Sequence, residues 1–203
     1  MNDWVYSRQC HGEVTACFRI FARYSEGKPM LIIFGGLPGS GKSTIAQSLA
    51  GQINAFYLRV DSIEQAIRSS GILSPVAEIG PAGYTAVYRV AADNLRLGRS
   101  VIADSVNSIE ITRAAYRRVA EEADVRFLEI EVACSDQEEH QRRVETRRST
   151  VEGLKLPTWE QVAARKYETW DCPHLRLDTA SLSVEQSVAK IIVAISAPVS
   201  RKT

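Results

Sequence analysis

The chain has 203 residues, 45% hydrophobic and 24% charged, enough for one domain with a sizeable core and no need of a disulfide framework. Lys plus Arg is 25 and Asp plus Glu is 24, so no global field draws the chain to nucleic acid or to an anionic membrane. No apolar stretch approaches about 18 residues, the first 30 residues carry charges and no secretory core, and none of Cys10, Cys17, Cys134 and Cys172 is in CxxC spacing, so we expect a reduced cytoplasmic protein without a transmembrane helix or structural zinc site.

Residues 1–29 differ from the rest and read as an N-terminal extension. Weak alternation from Val14 to Phe21 leaves a strand, a short helix and a docked segment all open. The compact domain is expected over 30–203. MLIIFGG (30–36) is a continuous apolar run ending in glycine, the pattern of a strand buried on both faces. A helical pattern starts at Lys42. AFYLRV (55–60) is a second strand, and Asp61 with Glu64 has the form of a capped helix start. SSGILSPVAEIG (69–80) is a loop, after which Pro81 opens a helix running to about Leu97, stopped by Gly98. SVIAD (100–104) is the third strand, followed by helical spacing from Ile109 to Ala123. VRFLEIEVA (125–133) is the fourth. Capping boxes at Ser135, Thr158 and Ser183 open three further helices, the second reaching about Trp170, and LRLDT (175–179) is a short last strand. Strands alternating with helices predict an α/β fold with a parallel sheet.

Gly36-Leu-Pro-Gly-Ser-Gly41-Lys42-Ser43 fits the phosphate-binding loop GxxxxGK[ST]. Its glycines let backbone N–H groups curl around phosphate oxygens, and the following helix aims its positive end at the same anions. Lys42 is suited to the β and γ phosphates, and the Ser43 hydroxyl to Mg²⁺. Gly36, Pro38, Gly39, Ser40, Gly41, Lys42, Ser43 and Thr44 are the candidate nucleotide contacts. The sequence has no NKxD, and Asp104-Ser-Val-Asn107 lacks the glycine of DxxG, which excludes a GTPase; LSGGQ of a transport ATPase is also missing. The small-kinase class remains.

Such an enzyme needs an acceptor site, a metal anchor and cations that close over the triphosphate. Asp61, at the C-terminal end of the second strand, can accept the proton of an incoming hydroxyl. Asp104 closes an apolar strand, a position suited to holding Mg²⁺. A helix cap is the competing role for either carboxylate. Arg143 and Arg147 are four apart, on one face of a helix that precedes a polar, Gly-containing segment at 147–157, and suit a lid in which one cation stacks on the base and another binds γ-phosphate oxygens. His140, His174, Trp159, Tyr167 and Trp170 read as packing residues or carry no pattern.

With these positions in hand, the chain resembles the P-loop kinases commonly labelled AAA-domain ATPases, similar in layout to gluconate kinase, chloramphenicol phosphotransferase and polynucleotide kinase. GLPGSGKST, VDSIEQAI, AADNLRLGRSVIADSVN, Arg113 in EITRAAY, CSDQEEHQRRVETR, LPTWEQVAARKYETWD and LDTASLSVEQSV carry the resemblance, over roughly residues 30–196. It implies a P-loop NTPase fold with sheet order 2-3-1-4-5 and a lid, ATP and Mg²⁺, and a small-molecule hydroxyl acceptor. It also implies Asp61 near that acceptor, Asp104 near the metal or γ-phosphate, Arg143 and Arg147 as lid cations, and Thr179 near the adenine. Many members have Asp-x-x-Arg after the second strand; here the fourth residue is Glu64, closer to the antibiotic phosphotransferase form. A neutral or cationic hydroxyl compound then fits better than an anion, with Arg68 or Arg113 as the alternative source of positive charge. A polynucleotide 5′-hydroxyl kinase is the second expectation, and a nucleotide-binding switch without an acceptor the third.

Overall fold

The computed structural model describes residues 28–72, 74 and 77–197. The expected 1–29 extension lies outside the described residues, apart from Lys28 and Pro29. The elements run β1 (Met30–Gly35), α1 (Lys42–Ile53), β2 (Phe56–Arg59), α2 (Val60–Ser69), α3 (Ala82–Arg96), β3 (Val101–Asp104), α4 (Glu110–Glu122), β4 (Arg126–Ala133), α5 (Gln137–Thr146), α6 (Trp159–Ala163), β5 (Leu175–Asp178) and α7 (Val184–Ser196). The five strands form one sheet in the order β2-β3-β1-β4-β5, every pair parallel. This is the α/β P-loop sheet that the motifs lead one to expect.

β1 is central, and all six of its residues are buried. Side chains alternate across a strand, so its apolar run feeds two cores. Met30, Ile32 and Phe34 pack with Ile45 and Leu49 of α1 and Val188, Ile191 and Ile195 of α7. Leu31 and Ile33 pack with Val87, Ala91 and Leu95 of α3 and Tyr116, Val119 and Ala120 of α4. Each fully buried aliphatic side chain contributes about 1.5–3 kcal/mol from apolar burial.

Local signals place most of the termini. Gly98 ends α3 at φ +77°, and both Thr158 and Ser183 form full capping boxes. Three expectations need correction. The cap of α5 is Asp136, which accepts from Glu139 N, rather than Ser135. Asp61 lies inside the first turn of α2, whose N-cap is Arg59, so it does not cap that helix. The helix expected to reach Trp170 is only the five residues of α6. Arg113 of α4 pulls the chain beyond it out of helical geometry. Its guanidinium donates to the carbonyls of Asn107, Glu168 and Thr169, while Glu168 N donates to Ser108 O and Glu168 Oε2 accepts from Glu110 N. Trp170 then packs over Gly35, where a Cβ would overlap its ring.

Candidate active site

The loops after β1, β3 and β5 and the start of α2 meet at the C-terminal edge of the sheet, the edge where open α/β folds bind ligands. Gly36 N donates to Val106 O at 3.0 Å and turns away from β1 at φ +141°. Gly39 and Gly41 hold φ +86° and +90°, and Gly41 is the N-cap of α1 with no side-chain cap bond. The first N–H groups of α1 are thus left for an anion. Behind the loop, His140 Nε2 meets Pro38 O at 2.9 Å, and the Thr179 hydroxyl meets Ser40 O at 2.8 Å.

Lys42 is 8% exposed. Burial pushes its ammonium below the ordinary lysine range, while the carboxylates of Asp104 and Asp61 push the other way. It has no hydrogen-bond partner among the described residues, and its charge is offset there only through space by these two carboxylates. Asp104, 2% exposed, sits beside Phe34 and Arg59 in the sheet register, and its Oδ2 accepts from the Tyr57 hydroxyl at 2.6 Å. Burial and the neighbouring Asp104 carboxylate hold the Tyr57 phenol well above its usual range, so it remains a donor. Asp104 caps no helix, because α4 starts at Glu110.

The Asp61 side chain is 39% exposed and pairs with Arg59 at 3.2 Å. Arg59 also donates to Thr150 at 3.1 Å, and Gln65 lies against Gly153, so the 147–157 segment rests on α2 over Asp61. Arg143 and Arg147 do not share a helix face. α5 closes with the bond from Arg147 N to Arg143 O, and Arg147 turns into extended backbone. Arg143 goes to Thr179, donating to its hydroxyl at 2.8 Å and its carbonyl at 3.1 Å, with Glu139 behind it at 2.7 Å. Arg147 goes to the other side, where burial lowers its pKa and Asp61 opposes that shift. It also lines an open cavity of about 370 Å³ with Val144, Leu156, Pro157 and Trp159.

Glu64 is half-buried, and burial first, then the charge of Asp61, raise its pKa. Arg113 does not supply charge to an acceptor; it is 1% exposed and spent on backbone carbonyls. Three residues at the site escaped the sequence reading: Arg59, Tyr57 and His140. Arg59 left a usable signal, a cation two residues before Asp61 at the end of an apolar strand. Tyr57 and His140 left none, since both act through partners distant in sequence.

Mg²⁺ fits the donors present. No cluster of three His, Cys, Asp or Glu side chains able to hold a metal occurs among the described residues. One buried carboxylate and one first-turn hydroxyl make the sparse, all-oxygen protein share with which Mg²⁺ binds nucleotide phosphates. No helix among the described residues is long and apolar enough to cross a membrane.

The chain matches the AAA domain family over residues 31–167, more than half its length. It belongs to this family of P-loop kinases. It is 30% identical over 161 residues to an uncharacterized protein of Mycobacterium tuberculosis, covering 74% of this chain but 32% of that protein; it thus spans about a third of the length of that relative. A probable adenylyl-sulfate kinase of Aeropyrum pernix is 30% identical over 171 residues, 80% of this chain and 90% of its own. Among solved structures, Kti12 of Chaetomium thermophilum in complex with ADP-AlF3 superposes at a TM-score of 0.61 and 25% identity, over 82% of this chain and 100% of that one. Nucleotide-dependent phosphotransfer is the general chemistry to which these likenesses point.

Proposed function

We propose that the chain moves the γ-phosphate of ATP to a hydroxyl group of a small molecule. One observation carries this reading: a phosphate loop with a buried Lys42, which makes no hydrogen bond among the described residues, stands beside two carboxylates of different exposure, Asp61 and Asp104. A switch that only binds nucleotide needs no second, solvent-reachable carboxylate at the γ-phosphate end.

In this reading Gly36, Pro38, Gly39, Ser40, Gly41, Ser43 and Thr44 hold the phosphates. Arg143 and Thr179, locked together, form the platform for the base. Arg147, Arg59 and Lys42 neutralise the transferring group. Ser43 and Asp104 would hold Mg²⁺, which would supply positive charge against the phosphates. Asp61 orients the acceptor hydroxyl and takes its proton as the new oxygen–phosphorus bond forms. The bond to the β,γ-bridging oxygen breaks and ADP leaves.

A second acceptor, adenylyl sulfate, is favoured by the A. pernix relative. Glu64, three residues after Asp61 and so on the same face of α2, works against an anion there. The test is transfer from γ-labelled ATP to a panel of neutral and cationic hydroxyl compounds, adenylyl sulfate and a 5′-hydroxyl oligonucleotide. Label is expected in a neutral or cationic small molecule and is lost in Lys42→Ala. Label found only as free phosphate sinks transfer. Oligonucleotide labelling that salt suppresses points instead to a polynucleotide kinase.

A further inference from the structure

Asp104 is held by a side chain that no motif contains. Tyr57 of β2 pairs with Ile102 of β3, two residues before Asp104. Side chains alternate along a strand, so Ile102 and Asp104 share a face of the sheet. Ile102 and Tyr57 both belong to the core packed against α1. Asp104 therefore stands on the α1 side, where the first turn of that helix carries Ser43.

There the Tyr57 hydroxyl meets Asp104 Oδ2 at 2.6 Å, and Gln47 Nε2 of α1 donates to the Tyr57 oxygen at 3.4 Å. The direction of donation is fixed by chemistry. An amide N–H only donates and a carboxylate only accepts, so the single phenol proton goes to Asp104. Gln47 is four residues after Ser43, one turn along the same face of α1. Ser43 and Gln47 of α1, Tyr57 of β2 and Asp104 of β3 thus form one patch between helix and sheet.

We propose that Tyr57 is a positioning residue for the metal-binding carboxylate. It engages Asp104 Oδ2, fixes the plane of the carboxyl group, and leaves Oδ1 for Mg²⁺ and its water shell. Gln47 sets the rotor of the phenol. The same arrangement divides the two carboxylates by task. Asp104 is buried and already bonded, whereas the Asp61 side chain is partly exposed, so an acceptor hydroxyl reaches Asp61. This inference rests on the phosphotransferase reading only through the metal role of Asp104.

Tyr57→Phe removes one oxygen and keeps the ring in the core. ATP binding is measured by calorimetry in EDTA and across a Mg²⁺ series, with no acceptor present, so the result does not depend on whether transfer occurs. ATP affinity in EDTA should be unchanged, while the Mg²⁺ needed for full affinity rises about 10- to 100-fold, the usual cost of losing an outer-shell partner. Gln47→Leu, which leaves the Tyr57–Asp104 bond in place, should shift the Mg²⁺ requirement less and in the same direction. Adding Tyr57→Phe to Asp104→Asn should shift it no further. An unchanged Mg²⁺ requirement in Tyr57→Phe overturns the proposal. So does an equal loss of ATP binding with and without Mg²⁺, which would make Tyr57 part of the loop's packing. Should Tyr57→Phe fail to fold, Gln47→Leu decides by the same comparison.

Discussion

Arg113 invites an error that a single variant exposes. A buried arginine near a phosphate site looks like an anion ligand, yet its donors are already used. Nη1 meets Asn107 O at 3.0 Å, Nη2 meets Thr169 O at 2.9 Å, and Nε meets Glu110 Oε2 at 3.1 Å, with Cζ lying 5.0 Å from the centroid of the Trp170 ring. In Arg113→Lys one ammonium replaces this fork and can serve one of the two buried carbonyls or the glutamate, not all three. Losing two charge-assisted bonds at about 1.5–3 kcal/mol each gives a destabilisation of about 3–6 kcal/mol. For a domain of this size that lowers Tm by roughly 6–24 °C. Thermal unfolding by circular dichroism, without ligand, measures it. The KM for the acceptor, taken well below the new Tm, should change little. An unshifted Tm with a raised acceptor KM would refute this reasoning and return Arg113 to the acceptor site.

Lys42→Met should leave the ligand-free Tm close to the parent, because Lys42 makes no hydrogen bond among the described residues, but remove the stabilisation of about 2.7 kcal/mol that ATP at 100 times its Kd gives the parent; a thermal-shift series with ATP checks both. Gly39 and Gly41 both hold left-handed backbone, which costs an alanine about 1–2 kcal/mol. A Cβ on Gly39 would also lie 2.5 Å from Val144 Cγ2, whereas the nearest atom to one on Gly41 is 3.4 Å away. Gly39→Ala should therefore lose about 1–3 kcal/mol more than Gly41→Ala in urea unfolding, the cost of overpacking. Glu139 is held down to about 2 by its bonds to Arg142 and Arg143. A depressed carboxylate stabilises the fold above its unfolded value and loses that contribution as pH falls through the folded one. The Tm gap between parent and Glu139→Gln should accordingly be constant near neutrality, and shrink as pH falls from about 4.5 towards 2.

What the sequence made legible is what local pattern encodes. β1 is a continuous apolar run because it is covered on both faces, and the loop after it is a spacing of glycines that no other local structure needs. Tyr57 and His140 depend instead on register and on long-range partners: Tyr57 reaches Asp104 across 47 residues, and His140 reaches Pro38 across 102. No local window contains both ends of such a bond. The shortened α6 shows the reverse case, a helical pattern overruled from outside. Residues 165–170 keep helical spacing, but helix bonds compete there with the Arg113 fork, and a charged donor to a buried carbonyl is stronger than the backbone N–H it displaces. Trp170, released from the helix, is what covers Gly35 at the root of the phosphate loop. That contact ties the segment after 147–157 to the loop through packing alone. Variants in 165–172 will thus weaken ATP binding without touching ATP, and only the ligand-free Tm separates them from variants in the site itself.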